Sequence, residues 1–427
     1  MASDRRLKVT IQLKSPLIVT ARQVGFVGES ETYIPGRVLR GAVARVAAQE
    51  GKDLNRLFDR PDAPRFGHAY AGLRPPVGIL PLTARTCKRW SGFRRDAQDD
   101  DRHGVWDTLV SQVFGDDGTE ARCPRCGQGT TPWGGRPYVA IGPDRRWRYV
   151  SPTPITQRIG RTAVARERGA VADRLLYTLE VLSQVMDRDE LEDSGESLKA
   201  TAQFHALVWV DGADPWPWDR WLESVRHLGG DRSRGLGWVT VEVEVEDSSP
   251  PYTGQNVESA AAALSAGTPS PPGERAPDAM SLLDRILAFN QVLYAFLSEG
   301  DERRRYWYFT LDLQSDAVLG DVRGARYQVE PADLGLPPSV ERVWSLAGYT
   351  QTWGWSDAWG LPKPLLPALA AGSTFLFRVP LGDEELAREV LERSALLERE
   401  GLGQKQEEGL GWVQVCTPFH LETEVRE

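Results

Sequence analysis

The 427-residue sequence predicts two tandem ferredoxin-like (RRM-like) domains of the α+β class. Three observations predict them. A glycine-rich phrase occurs twice. A strand and a helix precede each copy. An alternating apolar strand opens each half of the chain, and internal repetition of this kind points to duplicated structural units.

The phrase reads LGGDRSRGLGWVTV over residues 228–241 and LGQKQEEGLGWVQV over residues 402–415. Before it, Phe204–Val210 and Phe375–Val379 read as strands, being apolar and rich in β-branched or aromatic residues. The stretches 219–228 and 383–398 follow with apolar residues at helical spacing, and Asp219 and Asp383 stand where an N-cap is expected. After the phrase, Trp238–Val243 and Trp412–Val415 read as closing strands. Upstream, Leu7–Leu13 and Trp307–Leu313 alternate as opening strands. Strand, helix, strands, helix, strand is the ferredoxin-like order.

Leu7 to Gly235 spans 228 positions and Trp307 to Gly409 spans 102, so the first copy is longer by 126. A domain of this fold needs only about 100 residues, which implies an insertion at about 60–190. The expected organisation is therefore an N-terminal domain over 1–247, an Ala/Ser/Pro/Gly-rich linker over 248–278 and a C-terminal domain over 279–427. Residues 280–297 carry helical periodicity.

Composition is that of a globular chain, 41% hydrophobic and 26% charged. Apolar runs are too short to span a bilayer, the N-terminus lacks a signal-like apolar region, and four cysteines make no disulfide framework. A cytoplasmic, reducing compartment is the expectation. Net charge is −9 but unevenly spread: residues 1–170 hold 29 Lys and Arg against 17 Asp and Glu, and the rest of the chain stands at −21. Such asymmetry points to a polyanion-binding face. Twenty-five of those 29 are arginines, which pair bidentately with phosphate and stack on bases.

The first glycine loop places Arg232, Ser233 and Arg234 among Gly229, Gly230, Gly235 and Gly237. Glycine lets backbone approach a ligand closely, and loop N–H groups can face an anion. In the second loop Glu407 and Glu408 replace Ser233 and Arg234, which suits a structural turn and repels phosphate. Duplication kept the turn in both copies and the cationic character in one. A second candidate is YIPGRVLRGAVA from Tyr33, where Arg37 and Arg40 lie near a predicted helix start that already favours an anion.

These two motifs together resemble the RAMP superfamily of CRISPR-associated proteins. FGHAY at 66–70, LTARTCKR at 82–89, CPRC at 123–126 and LLYTLEVLS at 175–183, lying between them, are similar to the large two-domain RAMP subunit of type III-D effector complexes. The resemblance covers most of the chain, is specific at the glycine loops and at IPGRVLRGA, and is loose in the linker. It implies a non-catalytic subunit that binds the 5′ handle of the guide RNA (crRNA). It also implies partners: RAMP backbone subunits, the large polymerase/cyclase-like subunit, and target RNA indirectly. RNA contact is not carried over to the second loop.

Cys87, His103, Cys123 and Cys126 have the donor types for a tetrahedral structural Zn²⁺. The Pro and Gly of CPRCG suit a metal knuckle, and a redox CxxC would need a strand-to-helix context. Eight arginines lie between 145 and 174 among Trp147, Tyr149, Pro152 and Pro154, which predicts an extended hairpin or loop suited to single-stranded RNA. By the resemblance, Arg158, Arg161 and Arg166 would lean over the guide. Of the five histidines, His205 sits in an apolar strand and His68 alone lies in a loop near basic residues. A metal-independent endoribonuclease maturing precursor crRNA, with His68 as acid–base group, is the alternative. A zinc-stabilised protein scaffold is a third reading. Trp353, Trp355 and Trp359 lie in a Gly/Pro-rich stretch and suit a protein contact.

Overall fold

The computed structural model describes residues 5–24, 27–72, 75–94, 99–115, 122–141, 148–165, 170–187, 199–247, 254–269, 276–321, 324–356 and 360–423. The chain divides into two compact units. One comprises Met1–Pro75, Pro152–Ser249 and Glu407–Gly409, and the other Pro76–Ser151, Pro250–Gln406 and Leu410–Glu427. The stretch expected as an insertion at 60–190 is therefore shared: its central part, 76–151, groups with the C-terminal half.

In the first unit, the opening strand Arg5–Leu13 lies between Val239–Asp247 and Gln203–Val210, antiparallel to both. Two short strands, Arg65–Phe66 and Tyr70–Ala71, pair with the far edge of Gln203–Val210. Strict alternation makes one face apolar: Leu7, Val9, Ile11 and Leu13 are buried, as are Phe204, Val208, Val239 and Val241. Helices Gly36–Gln49 and Trp218–Glu223 cover this unit's core with Leu39, Val43, Trp218, Trp221 and Leu222. On the other face Arg6 stands opposite Glu246 and Lys8 opposite Glu244, a favourable cross-strand pairing of charges. Asp219 is not the cap expected for it. Pro217 takes that place, Asp219 falls in the first turn, and the helix ends at Glu223 rather than running toward Leu228. A carboxylate in the first turn still favours the helix dipole.

The arginine-rich stretch of this unit forms a long antiparallel hairpin, Thr156–Ala165 with Ala170–Leu182. Its base is pinned by a reciprocal pair of bonds between Leu17 and Leu182, at 2.9 and 2.7 Å.

In the second unit, the sheet runs Glu341–Leu346, Thr374–Pro380, Tyr306–Leu313, Val413–Val415, antiparallel throughout. Numbered by chain position within each sheet, both sheets read second, third, first, fourth, with the two short strands together counting as the second in the first unit. Helix Glu384–Glu400 is capped by Asp383, whose carboxylate accepts from Leu386 N–H, as its sequence predicts. Helix Leu282–Phe296 starts with a reciprocal capping box between Ser281 and Asp284. The stretch expected as a linker contains a helix, Gly254–Ser265, with Val257, Ala260, Ala261 and Leu264 buried in the unit's core. Its alanines supply helix propensity and fit closely against helix Glu384–Glu400.

The second unit has its own hairpin. Tyr349–Thr352 pairs with Leu366–Leu369, and Ala317 holds the base through reciprocal 2.9 Å bonds with Leu369, as Leu17 does with Leu182. Trp355, on this hairpin, is exposed, and Trp359 lies outside the described residues. Residues 76–151 add two three-stranded sheets and a small core of Leu80, Ala84, Phe93, Val105, Tyr138 and Tyr149 closed by Phe419. Beside it, fully buried His420 lies 2.9 Å from Asp107 through Nδ1 and 2.9 Å from Asp312 through Nε2.

Candidate nucleic-acid interface and metal centre

The two glycine loops share their bonds as well as their letters. Leu228 N–H donates to Gly237 O at 2.9 Å, and Leu402 N–H to Gly411 O at 2.7 Å. Gly237 N–H donates to Pro16 O and Gly411 N–H to Asp316 O, each at 2.8 Å. Trp238 and Trp412 N–H donate to Ser15 and Ser315 Oγ, each at 2.9 Å. Each loop thus closes on the segment just past the opening strand, Leu13–Ile18 or Leu313–Val318. Gly237 has φ 76° and Gly411 φ 69°. A Cβ there would lie 2.0 Å from Leu228 O and 1.8 Å from Leu402 O. Only glycine fits that left-handed turn against the carbonyl. The serines were invisible to periodicity, although LKSPLI and LQSDAV, once aligned, carry them at one position.

Within the first loop, Asp231 takes φ 52° and Arg232–Arg234 forms a single 3-10 turn. Arg232, Ser233, Arg234 and Gly235 are exposed, as is Gly230, whose N–H donates to Ile18 O at 3.1 Å. Arg234 Nη1 donates to Tyr177 Oη at 2.9 Å and reaches Asp231 at 3.3 Å. From the hairpin, Arg161 Nη2 donates to Arg234 O at 3.3 Å. Tyr177 faces Arg161 directly across the hairpin. The structure therefore brings Arg161, Arg234 and Tyr177 together, with Arg232 and Ser233 on the same turn. Tyr177 had no signal in the sequence until the hairpin register was known.

The other proposed RNA contacts lie elsewhere. Arg158 is three residues from Arg161, on the opposite face of the hairpin, 3.6 Å from Glu180. Arg37 lies 3.9 Å from Glu31 with only 12% of its side chain exposed. Arg40 donates to Phe58 O at 3.2 Å and lies 4.9 Å above the Phe58 ring. Arg166 falls outside the described residues.

His68 is buried, and its Nδ1 accepts from Gly36 N–H at 3.0 Å, at the start of the helix. Burial, then the charge of Arg37, push its pKa down to about 3. The imidazole is neutral at physiological pH, with its proton on Nε2. His205 is likewise a packed group: Nε2–H donates to Gly72 O at 3.1 Å and Nδ1 faces Thr10 Oγ1 at 3.2 Å.

In the second unit, Cys87 ends a strand, Ala84–Cys87, that pairs with Val105–Asp107 and Thr130–Pro132. His103 precedes the first of these neighbours, and Cys123 and Cys126 form the turn before the second. One donor atom from each of the four lies within 4.8 Å of every other. Cys87 Sγ is 3.7 Å from Cys126 Sγ, and His103 Nδ1 is 3.4 Å from Cys123 Sγ. Tetrahedral bonds of about 2.3 Å to sulfur and about 2.0 Å to nitrogen place donors roughly 3.5–3.8 Å apart, so the four residues fit a tetrahedral ion. Burial opposes the Cys87 thiolate, but N–H groups of Trp90 and Arg89 and the neighbouring sulfurs outweigh it and lower the pKa. Burial, then Arg125, lower the pKa of His103 and favour the neutral ring that a metal needs. Trp106 and Trp90 pack against Cys87 and Cys123, while Cys126 is exposed.

No known family model matches the chain, and no curated protein sequence does. Among solved structures, a chain from a Type III-B Cmr-beta complex bound to cognate target RNA and AMPPnP is similar to it at 10% identity and TM-score 0.38, covering 86% of each chain. Another, from Type III-B Cmr-beta bound to cognate target RNA, is 12% identical with TM-score 0.29 and covers 57% of this chain and 98% of that one. Among the described residues, no helix is long and apolar enough to cross a membrane.

Proposed function

We propose that the protein is a non-catalytic, RNA-binding architectural subunit of a type III CRISPR effector complex, of the III-D kind. In this reading both units are ferredoxin-like RAMP domains, and the first holds the 5′ handle of the crRNA. The observation that carries the reading is the convergence of Arg161, Arg234 and Tyr177 where the hairpin meets the first glycine loop. Two guanidiniums with a phenol beside an exposed turn suit a phosphate and an adjoining base. The second loop reproduces the closing bonds of the turn, Leu402 to Gly411, Gly411 to Asp316 and Trp412 to Ser315, and carries Glu407 and Glu408 instead, so it serves as scaffold. The common strand order supports the ferredoxin-like reading of both units, and the motif resemblance supplies the complex and the partners.

Zinc is the ion best suited to Cys87, His103, Cys123 and Cys126. Four protein donors leave no open position, so its role is structural: it ties three strands and a knuckle that have little core of their own. Catalysis by His68 is disfavoured by its burial, its occupied Nδ1 and its low pKa.

The test is to incubate the full chain with labelled RNA copied from the repeat of its cognate CRISPR array, in EDTA. Retention of intact RNA is expected. Specific scission would establish the nuclease instead, and absence of retention would leave a protein scaffold.

A further inference from the structure

Trp238 stands at the foot of the cationic glycine loop and is 56% exposed. Exposed aromatics are ordinary on protein surfaces, but three features separate this one. Its backbone is fixed on both sides: Trp238 O accepts from Lys14 N–H at 2.8 Å and Ser15 N–H at 3.2 Å, and Trp238 N–H donates to Ser15 Oγ at 2.9 Å. Its indole stacks on His227, with ring centroids 6.4 Å apart and planes 22° from parallel. The strand bridge between His227 and Trp238 holds the two rings in register.

The duplicated loop supplies the comparison. Trp412 occupies the same position, donates its N–H to Ser315 Oγ, accepts from Gln314 N–H at 2.7 Å and is half-buried. Where the first copy has His227, the second has Gly401, which offers no ring. The shared scaffold therefore accounts for a tryptophan here, and leaves its exposure and its histidine neighbour in the first copy unexplained. The charge differs in the same sense. Lys14 donates its backbone N–H to Trp238 O, Arg226 precedes His227 in the chain, and Arg232 and Arg234 belong to the same glycine loop. The second loop carries Glu407 and Glu408 at the corresponding turn.

We propose that the Trp238–His227 pair is a platform on which one unpaired nucleobase of a single-stranded RNA stacks. The adjoining phosphates would be held by the glycine loop. A rigid π surface beside fixed positive charge is the combination that single-strand binders use, because every base has a π face and every linkage an anion. The proposal rests on the RNA-binding reading of the first glycine loop and adds to it a position where a base, rather than a phosphate, is felt.

The test uses the full chain and labelled single-stranded RNA copied from the cognate repeat, with a set in which one abasic nucleotide is moved along the strand. Stacking of one base corresponds to an affinity change of roughly 5- to 150-fold. One abasic position should weaken wild-type binding by that factor, Trp238→Ala should weaken intact RNA by a similar factor, and the two losses should not add. Trp238→Phe, which keeps a ring, should retain most of the affinity and guards against a folding artefact. An abasic profile unchanged in Trp238→Ala, with salt-dependent RNA binding intact, overturns the platform alone. Loss of a co-purifying protein with RNA affinity untouched also overturns it. Failure of the wild-type chain to bind any RNA removes the underlying reading and the platform with it.

Discussion

Replacing His420 with asparagine tests the buried ionic core of the second unit. Both ring nitrogens of His420 face carboxylate oxygens at 2.9 Å, Nδ1 toward Asp107 and Nε2 toward Asp312. Thr83 Oγ1 donates to Asp107, and Thr310 Oγ1 and Thr417 N–H donate to Asp312. The carboxylates are thus acceptors throughout, and the ring donates from both nitrogens as an imidazolium. Burial works against that charge, but Asp312 and Asp107 outweigh it and raise the pKa to about 10. Burial likewise works against the Asp312 carboxylate, and His420 outweighs it and lowers that pKa. A histidine raised from 6.5 to about 10 corresponds to about 5 kcal/mol of pH-linked stability. Removing one member of a buried ion pair costs about 3–5 kcal/mol, because it leaves the partner charge buried without a counter-charge.

The sign follows from the direction of each shift. The histidine contribution is complete below its unfolded value of 6.5 and is lost as pH rises toward 10. The Asp312 contribution is present above the unfolded value of 3.8 and is lost as pH falls below it. Chemical denaturation of wild type and His420→Asn at pH 6 and again near pH 10 reads the effect. The gap between them should be several kcal/mol at pH 6 and should shrink at the higher pH, because between 6.5 and about 10 the unfolded wild type has released the His420 proton that the folded state still holds, and the variant lacks this group. A gap below about 0.5 kcal/mol at pH 6, the range of an ordinary surface change, would refute the reasoning. So would a gap that does not vary with pH.

Elemental analysis of the purified chain should find one zinc per molecule, lost in Cys123→Ser and retained in Cys416→Ser; metal-free wild type would dismiss the centre. Cys416 serves as control because it is buried away from the site, with its Sγ accepting from Thr310 N–H at 3.4 Å. Gly237→Ala should be destabilised by more than about 2 kcal/mol, since it combines a left-handed backbone with a clash against Leu228 O. Gly235→Ala, at φ 84° with open space around the position, should lose only the backbone part, about 1 kcal/mol. Equal losses at both positions, read by denaturant midpoints, would contradict the steric account of the loop. His68→Ala should leave RNA retention unchanged and reveal no lost cleavage, because the native ring is neutral and enclosed.

The repeated phrase was legible because it is local: turn, strand and glycines lie within fourteen residues, and their spacing alone fixed the loop. The hairpin was legible as an extended element because Pro152, Pro154 and Gly160 break helical spacing. The donor set of the candidate metal site, Cys87, His103, Cys123 and Cys126, was legible from residue types, although the N–H groups of Arg89 and Trp90 that support Cys87 were not. Long-range partners were hidden. Nothing in the sequence links His420 to Asp107 and Asp312, which lie 313 and 108 residues away. The helix Gly254–Ser265 was hidden by composition, since alanine and serine are as common in linkers as on tightly packed helices. Grouping of 76–151 with the C-terminal half depends on contacts such as Tyr149 with Glu422, at 3.0 Å, which no local pattern encodes. Arg37 and Arg40 satisfy the pattern expected of an anion site, and the structure gives them partners within their own unit.

The most direct measurement is the salt dependence of RNA affinity for the wild type and for Arg232→Glu/Arg234→Glu, with repeat-derived single-stranded RNA. Each phosphate contact on a single strand contributes about 0.7 to the slope of log K against log salt, so losing two should flatten it by about 1.4. The account predicts that flattening together with weaker binding. An affinity and a slope identical to wild type would contradict it.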